Sequence, residues 1–307
     1  MPSWEGRSRG NSLGYSIFIK LLQWGGLKPA YALLHFVTPY YRLFVPKAIR
    51  PLRYLYETRM GFSHKQANKL IRKNLIVFGQ TIIDKIAVLS GMENSFTHIN
   101  LEGTSRISQM LEGGNGGLVI SAHLGNWEVA GHLMKNMNAV VNIVMYDGEG
   151  EQLKAMMEQY DNKRSFNVIY IKEDLSHIYE MSAALKRNEL ICLHADRFRP
   201  GNRTMEHKFL GEKALFPAGP FILASKLRAP VCFVFGFKEG NFRYRYYSWP
   251  SKTYEGRGTE GMERMLDDYV AILEEMVKKY PEQWFNYTPI WPDVPQGEPA
   301  REIATVS

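Results

Sequence analysis

The sequence contains few cysteines. Only two occur among its 307 residues, Cys192 and Cys232, and both lie inside apolar runs, ELICLHA and PVCFVFG. Because neither a Cys-x-x-Cys spacing nor a paired framework is present, zinc fingers and disulfide-stabilised secreted folds are disfavoured. We expect a reducing compartment and two buried thiols that pack as small hydrophobic side chains.

The familiar nucleophile and nucleotide motifs are also missing. Ser121 lies in an apolar stretch without the flanking glycines of a Gly-x-Ser-x-Gly elbow. Neither a Gly-x-Gly-x-x-Gly segment after a strand nor a Walker phosphate loop occurs. His194 and Asp196 alternate along one predicted strand, but no third metal ligand is evident. We therefore expect no metal and no cofactor.

No apolar run in the aromatic N-terminal segment is long enough to span a bilayer. Its longest uncharged run, Pro29–Tyr41, has 13 residues, whereas a spanning helix needs about 20. We predict a helix lying in the headgroup region, anchored by Trp24, Tyr31, Tyr40 and Tyr41. The alternative is a surface of ordinary core helices. The broken apolar stretch also argues against a secretory signal.

Positive charge is concentrated in one stretch. The formal net charge is +7, and residues 42–73 contain nine basic residues and one acid, Glu57, a balance of +8 (9 − 1). A basic stretch after an aromatic segment favours a surface of anionic lipids. Nucleic acid is disfavoured as a partner, because the aromatic residues precede the charges instead of interleaving with them. Within this part of the chain, Ser63 and Gln66 predict a capping box at the start of a helix that Gly91 ends.

From about residue 117, strand and helix patterns alternate. The predicted strands are Gly117–Ala122, Ala139–Met145, Asn167–Ile171, Glu189–Ala195, Val231–Phe237 and an antiparallel Phe242–Trp249. The predicted helices are Trp127–Asn136, Gly150–Ser165, Leu175–Arg187, Pro220–Leu227 and Thr259–Lys279. This alternation predicts an α/β fold with a mainly parallel sheet flanked by helices. We expect a helical, basic, membrane-associating region over residues 1–94, a catalytic domain over 95–290 and a tail over 291–307.

His123 and Glu128 are the strongest candidates for chemistry. His123 follows an apolar strand, and Glu128 opens the next predicted helix after a short turn. Across that turn, the carboxylate can hold one imidazole nitrogen and leave the other free to take a proton, as in a general base. Asp196 follows another strand, and polar groups at one edge of a sheet can share a pocket.

Without a nucleophile beside it, His123 suits direct base catalysis. It would deprotonate a substrate hydroxyl or amine, which then attacks an activated acyl carbon. Two alternatives remain: the pair makes only a structural hydrogen bond, or it activates water as a thioesterase or esterase would.

The segment AHLGNWE resembles the His-x-x-x-x-Asp/Glu motif of the lysophospholipid acyltransferase superfamily. It is closest to the lipid A biosynthesis late acyltransferase branch, where His, Gly-Asn-Trp and Glu occur together. Similarity continues through DRFRPGNRTMEHKFLGEKALFPAGPFILASKLRAPV and PEQWFNY, and covers about residues 95–290.

The resemblance implies a glycerolipid acyltransferase-like fold and a lipid or glycolipid acceptor. The implied donor is an acyl thioester on acyl carrier protein or coenzyme A, and the implied location is peripheral, monotopic binding at the cytoplasmic face of the bacterial inner membrane. By match, His123 is the base and Glu128 its partner. Asn126, Asp196 and Gly219 fall in the family's other motif positions, and we predict that they bind substrate.

The segment after the fourth strand is basic. Arg197, Arg199 and Arg203 can grip a phosphate on the donor or on the acceptor, although an ordinary solvated loop is the alternative. The chain departs from the family at Met145-Tyr146-Asp147, where many relatives carry Arg, and at Arg197, where Gln is usual. These departures leave the acceptor open, including an aryl-polyene or dialkylresorcinol pigment or an aminolipid.

Overall fold

The computed structural model describes residues 20–22, 24–44, 46–99, 102–126, 129, 139–146, 166–172 and 174–293. Its helices are α1 (Leu27–Phe44), α2 (Pro46–Arg53), α3 (His64–Leu89), α4 (Glu102–Glu112), α5 (Ser176–Lys186), α6 (Ala218–Leu227) and α7 (Glu260–Lys279). Its strands are β1 (Thr97–Ile99), β2 (Gly117–Ser121), β3 (Val141–Tyr146), β4 (Asn167–Ile171), β5 (Leu190–His194), β6 (Thr204–Phe209), β7 (Glu212–Pro217), β8 (Val231–Lys238) and β9 (Arg243–Ser248). The predicted helices Trp127–Asn136 and Gly150–Ser165 lie outside the described residues, apart from Val129.

A seven-stranded sheet organises the fold, in the order β1-β9-β8-β2-β5-β3-β4. All neighbouring strands are parallel except β8 and β9, which pair antiparallel. The predicted mainly parallel sheet is therefore confirmed, as is the reversal between β8 and β9. The six strands expected from the sequence match the observed ones to within two residues at each end.

Helices cover both faces of the sheet because the central strand β2 is apolar throughout. Leu118 and Ile120 belong to the core cluster that includes residues of α6 and α7. Val119, between them, packs in a second cluster with Ile107 and Met110 of α4. Successive side chains of a strand point to opposite faces, so an uninterrupted apolar run buries both.

The basic segment after β5 contains a hairpin that the sequence analysis did not predict. Strands β6 and β7 pair antiparallel, with Phe209 opposite Glu212. Leu210 and Gly211 form the two-residue turn, with φ of 49° and 85°. Positive φ at both positions suits the twist of a tight hairpin, but such turns usually carry Asn-Gly or Asp-Gly. Because leucine rarely adopts positive φ, Leu210 did not indicate a turn at this position.

Helix α3 begins with the predicted capping box. The Ser63 hydroxyl accepts a hydrogen bond from the Gln66 backbone N–H, and the Gln66 side chain accepts one from the Ser63 N–H at 2.9 Å. These contacts satisfy backbone donors that a helix start otherwise leaves without partners.

Helix α1 and the residues just before it have one buried and one exposed face. Trp24 and Phe36 are 94% and 79% exposed, whereas Tyr31 is 6% exposed. The prediction of Tyr31 as a membrane anchor is therefore wrong, because its hydroxyl is bonded to buried Asp84. The side chains of Tyr40 and Tyr41 lie outside the described residues. In the part of the chain that the structure describes, no helix has the length and apolar character needed to cross a membrane.

The N-terminal helices share their packing with the sheet. Leu34 of α1 and Ile83 of α3 lie in one core cluster with Tyr244 of β9. Trp291, predicted at the start of a tail, is buried and stacks on Phe209.

Both cysteines are free and buried, as predicted. Burial raises the pKa of each thiol, Cys192 and Cys232, to about 12.

Candidate active site

Strand register brings two residues together at the carboxyl edge of the sheet. Strands β2 and β5 pair in parallel with Ser121 opposite His194. The Ala195 N–H then donates to the Ser121 carbonyl at 3.1 Å, which continues the ladder. His123 and Asp196 each lie two residues beyond that pair and therefore reach the same level. The sequence analysis expected these two strand ends to share a pocket, and the structure places them in contact.

His123 and Asp196 form a closely bonded pair. His123 Nδ1 lies 2.7 Å from Asp196 Oδ1, and the His123 backbone N–H donates to both carboxylate oxygens at 3.0 Å. The Asp196 side chain is fully buried, whereas that of His123 is 23% exposed. Burial raises the pKa of Asp196, but attraction to His123 and its hydrogen bond outweigh burial and hold the pKa below its usual value. Because an ionised carboxylate only accepts, Nδ1 carries a proton, and Nε2 is the ring nitrogen available to exchange one.

A second histidine lies next to His123 Nε2. His194 Nδ1 is 3.4 Å from His123 Nε2, and the ring centroids are 4.3 Å apart. Burial first, and then the charge of His123, hold the pKa of His194 well below its usual value. His194 is therefore a neutral neighbour of His123. Among the residues described, no group of three side chains could hold a metal ion.

The turn that follows His123 is fixed by its neighbours. Gly125 has a φ of +76°, and a Cβ there would lie 2.0 Å from the carbonyl oxygen of Gly236 in β8. The Asn126 backbone N–H donates to that same carbonyl at 2.7 Å. Position 125 therefore accommodates only glycine. We call residues 123–126, which carry the candidate base His123, the catalytic loop.

The C-terminal segment closes the other side of the catalytic loop. Trp284 Nε1 donates to Asp196 Oδ2 at 3.1 Å, and the Phe285 N–H donates to the His123 carbonyl at 2.7 Å. Asn286 Nδ2 donates to the Asp196 carbonyl at 2.8 Å. These residues belong to the segment PEQWFNY, so the site holds groups from three distant parts of the chain.

Two predicted substrate-binding residues have their polar atoms directed at protein groups. Asp196 binds His123 and Trp284, as described above. Asn126 is buried, and its Nδ2 donates to the Thr81 carbonyl and to the Tyr244 hydroxyl, both at 3.2 Å. Its Oδ1 accepts from the Val129 N–H at 3.4 Å. Through these contacts, both side chains hold neighbouring parts of the protein in place.

The basic residues after β5 lie in varied surroundings. Arg197 donates to the Phe285 carbonyl, and the Arg199 guanidinium lies 4.0 Å from the centre of the Tyr146 ring. Arg203 is exposed, and its carbonyl accepts from the N–H of Ala218, the first residue of α6. Gly219 is also exposed, with open space where a side chain would project.

The pairing of His123 with Glu128 concerns a residue outside the described part of the chain. The carboxylate that the structure places on His123 Nδ1 is Asp196. Sequence reasoning did not assign Trp284 or Gly236 to the site. Gly236 lies inside an apolar strand and gave no local signal, whereas the signal for Trp284 was the family similarity of the segment PEQWFNY.

Comparison with known proteins agrees with the family resemblance. The family model described as bacterial lipid A biosynthesis acyltransferase matches residues 60–291. Phosphatidylinositol mannoside acyltransferase of Mycobacterium tuberculosis H37Rv is 24% identical over 192 residues, which cover 62% of this chain and 58% of that protein. The protein of the same name from Mycolicibacterium smegmatis is 26% identical over 191 residues, covering 59% and 58%. The match thus spans less than two thirds of the length of these relatives. The family model covers most of this chain and includes both His123 and Asp196. The chain therefore belongs to the bacterial lipid A biosynthesis acyltransferase family.

Proposed function

We propose that the protein transfers a fatty acyl group from a thioester to a hydroxyl or amine of a lipid or glycolipid, with His123 as the general base. The observation that carries this proposal is the bond between His123 Nδ1 and buried, ionised Asp196, which leaves Nε2 as the basic nitrogen. A base held in this way can act without a nucleophilic side chain of the protein.

The reaction follows from that geometry. His123 Nε2 takes the proton of the acceptor as its oxygen or nitrogen bonds to the thioester carbonyl carbon. Asp196 stabilises the imidazolium that results. When the tetrahedral intermediate collapses, the carbon–sulfur bond breaks and the imidazolium returns its proton to the departing thiolate. The products are an ester or amide and a free thiol.

A glycolipid hydroxyl is the acceptor that the relatives favour. The family is named for lipid A biosynthesis, and the relatives are named for phosphatidylinositol mannoside. Both acceptors present sugar hydroxyls at a membrane surface. Arg199 and exposed Arg203 lie on the segment after β5 and suit a phosphate of the acceptor or of an acyl carrier protein or acyl coenzyme A donor.

We propose that the protein works as a peripheral, monotopic protein at the cytoplasmic face of the bacterial inner membrane. Exposed Trp24 and Phe36, together with the basic stretch 42–73, support a surface that enters the headgroup region of anionic lipids.

The test follows thiol release from palmitoyl coenzyme A or palmitoyl-acyl carrier protein, with lipid A precursor or phosphatidylinositol mannoside as acceptor. We expect release to depend on acceptor and the lipid product to gain one acyl chain. His123→Ala should lower the rate about 10²–10⁴-fold. The control, His207→Ala, removes a histidine of β6 that is bonded to Asp267, and it should leave the rate unchanged. Equal release without acceptor would instead identify a thioesterase, and an unaffected His123→Ala rate would reject the assigned base.

A further inference from the structure

A buried ion pair lies behind the catalytic loop, outside the site described above. Lys238 Nζ, on β8, is 2.6 Å from Asp84 Oδ2, on α3, and their side chains are 2% and 0% exposed. Burying two charges is costly, and a buried pair often contributes no more stability than apolar residues of similar volume. Such a pair therefore invites a second explanation besides stability.

Two tyrosines, Tyr31 and Tyr244, add hydrogen bonds to this ion pair. Lys238 also donates to the Tyr31 hydroxyl at 2.8 Å and to the Asn241 carbonyl at 2.5 Å, so each of its three protons has an acceptor. Asp84 accepts from the hydroxyls of Tyr31 and Tyr244. We call Tyr31, Asp84, Lys238 and Tyr244 the Lys238 cluster.

The Lys238 cluster contacts Asn126 of the catalytic loop through Tyr244. Tyr244 has one hydroxyl proton and donates it to Asp84, so its oxygen is free to accept from Asn126 Nδ2 at 3.2 Å. With Nδ2 facing Tyr244, the opposite end of the amide, Oδ1, faces the Val129 N–H. Through Tyr244, Asp84 thus reinforces the amide orientation that the Thr81 carbonyl and the Val129 N–H also favour.

A second connection runs through the backbone of Lys238. Its N–H and C=O both bond to the side chain of Gln283, each at 2.9 Å. The Gln283 carbonyl in turn accepts from the Gly125 N–H at 2.9 Å. The same lysine therefore supports two consecutive residues of the catalytic loop.

We propose that the Lys238 cluster is a set of positioning residues that holds the catalytic loop, and hence His123, in its reactive geometry. This inference rests on the proposed function and deepens it. Tyr31 lies on α1, before residue 60, where the family match begins. Helix α1 is thereby part of the active-site scaffold as well as a lipid-facing element.

The test compares three conservative variants of the full-length protein. Tyr244→Phe removes the hydroxyl that contacts Asn126, and Tyr31→Phe removes one that is a step further away. Tyr246→Phe is the matched control, because this tyrosine is also buried on β9 but its hydroxyl bonds to His98. We expect kcat to fall about five- to tenfold in Tyr244→Phe and less in Tyr31→Phe, with KM unchanged.

A readout independent of turnover is the ¹⁵N spectrum of His123 in histidine-labelled protein, assigned with His123→Ala. Its ring resonances should shift in Tyr244→Phe and stay in place in Tyr246→Phe. If Tyr244→Phe and Tyr246→Phe lower kcat and Tm alike and leave His123 unshifted, the cluster is structural only and the proposal fails. Absence of acyl transfer in the wild-type protein would overturn the proposed function instead, while the spectrum would still test the positioning.

Discussion

Asp196 is a carboxylate that stays ionised although it is fully buried. Burial alone would raise its pKa, but His123 reverses this effect and the pKa falls below its usual value. Trp284 and the His123 backbone N–H occupy its remaining lone pairs. The residue therefore links the orientation of His123 with stability, because the interactions that orient His123 also stabilise the folded state.

Asp196→Asn should therefore show a pH-dependent loss of stability. A group whose pKa is lower in the folded state stabilises the fold above its unfolded pKa, about 4 for Asp, and that contribution disappears as the pH falls through the folded pKa. The free energy of unfolding of the wild-type protein should exceed that of Asp196→Asn at pH 7, and the gap should narrow below about pH 4. Urea unfolding at pH 7 and pH 3 measures this gap. Asp267→Asn, at an exposed position of α7, is the control; a gap that stays constant with pH would contradict the expectation.

The turn after β2 requires a residue without a Cβ at position 125. Gly125 combines a left-handed φ with close approach to the Gly236 carbonyl, whereas Gly240, with a φ of +94°, has open space around it. The two glycines share the backbone requirement and differ in the contact. Comparing alanine substitutions at the two positions therefore separates the cost of backbone strain from the cost of the collision with the Gly236 carbonyl.

Gly240→Ala should cost about 1–2 kcal/mol, the left-handed penalty of an ordinary residue. Gly125→Ala should cost about 1–3 kcal/mol more, because a collision with the Gly236 carbonyl is added. It should also abolish acyl transfer, since the collision displaces the catalytic loop that carries His123. Thermal unfolding and a thiol-release assay test both statements. Equal losses of stability in the two variants would show that the turn relaxes around the added methyl group.

Elements with strong local patterns could be predicted, and those that depend on distant pairing could not. The apolar run of β2 and the Ser63 capping box are readable within a few residues, and both were found. The hairpin β6–β7 was missed because TMEHKF and EKALFP show no regular alternation of polar and apolar residues and because the turn places a leucine at positive φ. The contact of His123 with Asp196 depends on the register of β2 against β5, which no local pattern fixes. The sequence could suggest only that both lie at one edge of the sheet.

At the scale of the whole molecule, charge and exposed aromatic residues lie on the same N-terminal part. Residues 42–73 carry a net +8, while the chain as a whole carries +7. Trp24 and Phe36 are among the most exposed large apolar side chains of the described residues. Aromatic residues beside basic ones suit a lipid surface that is both apolar and anionic.

Trp24→Ala/Phe36→Ala should weaken binding to phosphatidylglycerol vesicles. The reason is that two side chains able to enter the headgroup region are removed while the charge stays the same. Co-sedimentation with vesicles measures the change. Tyr179→Ala is the control, because Tyr179 on α5 is 79% exposed, as Phe36 is. If the double variant and Tyr179→Ala bind vesicles equally, α1 does not contact the lipid.

The contacts that Trp284, Phe285 and Asn286 make with the site have a consequence for the synthesis of the protein on the ribosome. A ribosome adds Trp284 161 residues after His123 (284 − 123). Until then, Asp196 lacks the hydrogen bond from the Trp284 indole, and the His123 carbonyl lacks the one from the Phe285 N–H. A nascent polypeptide therefore completes the surroundings of His123 only after all the strands that the structure describes have been translated.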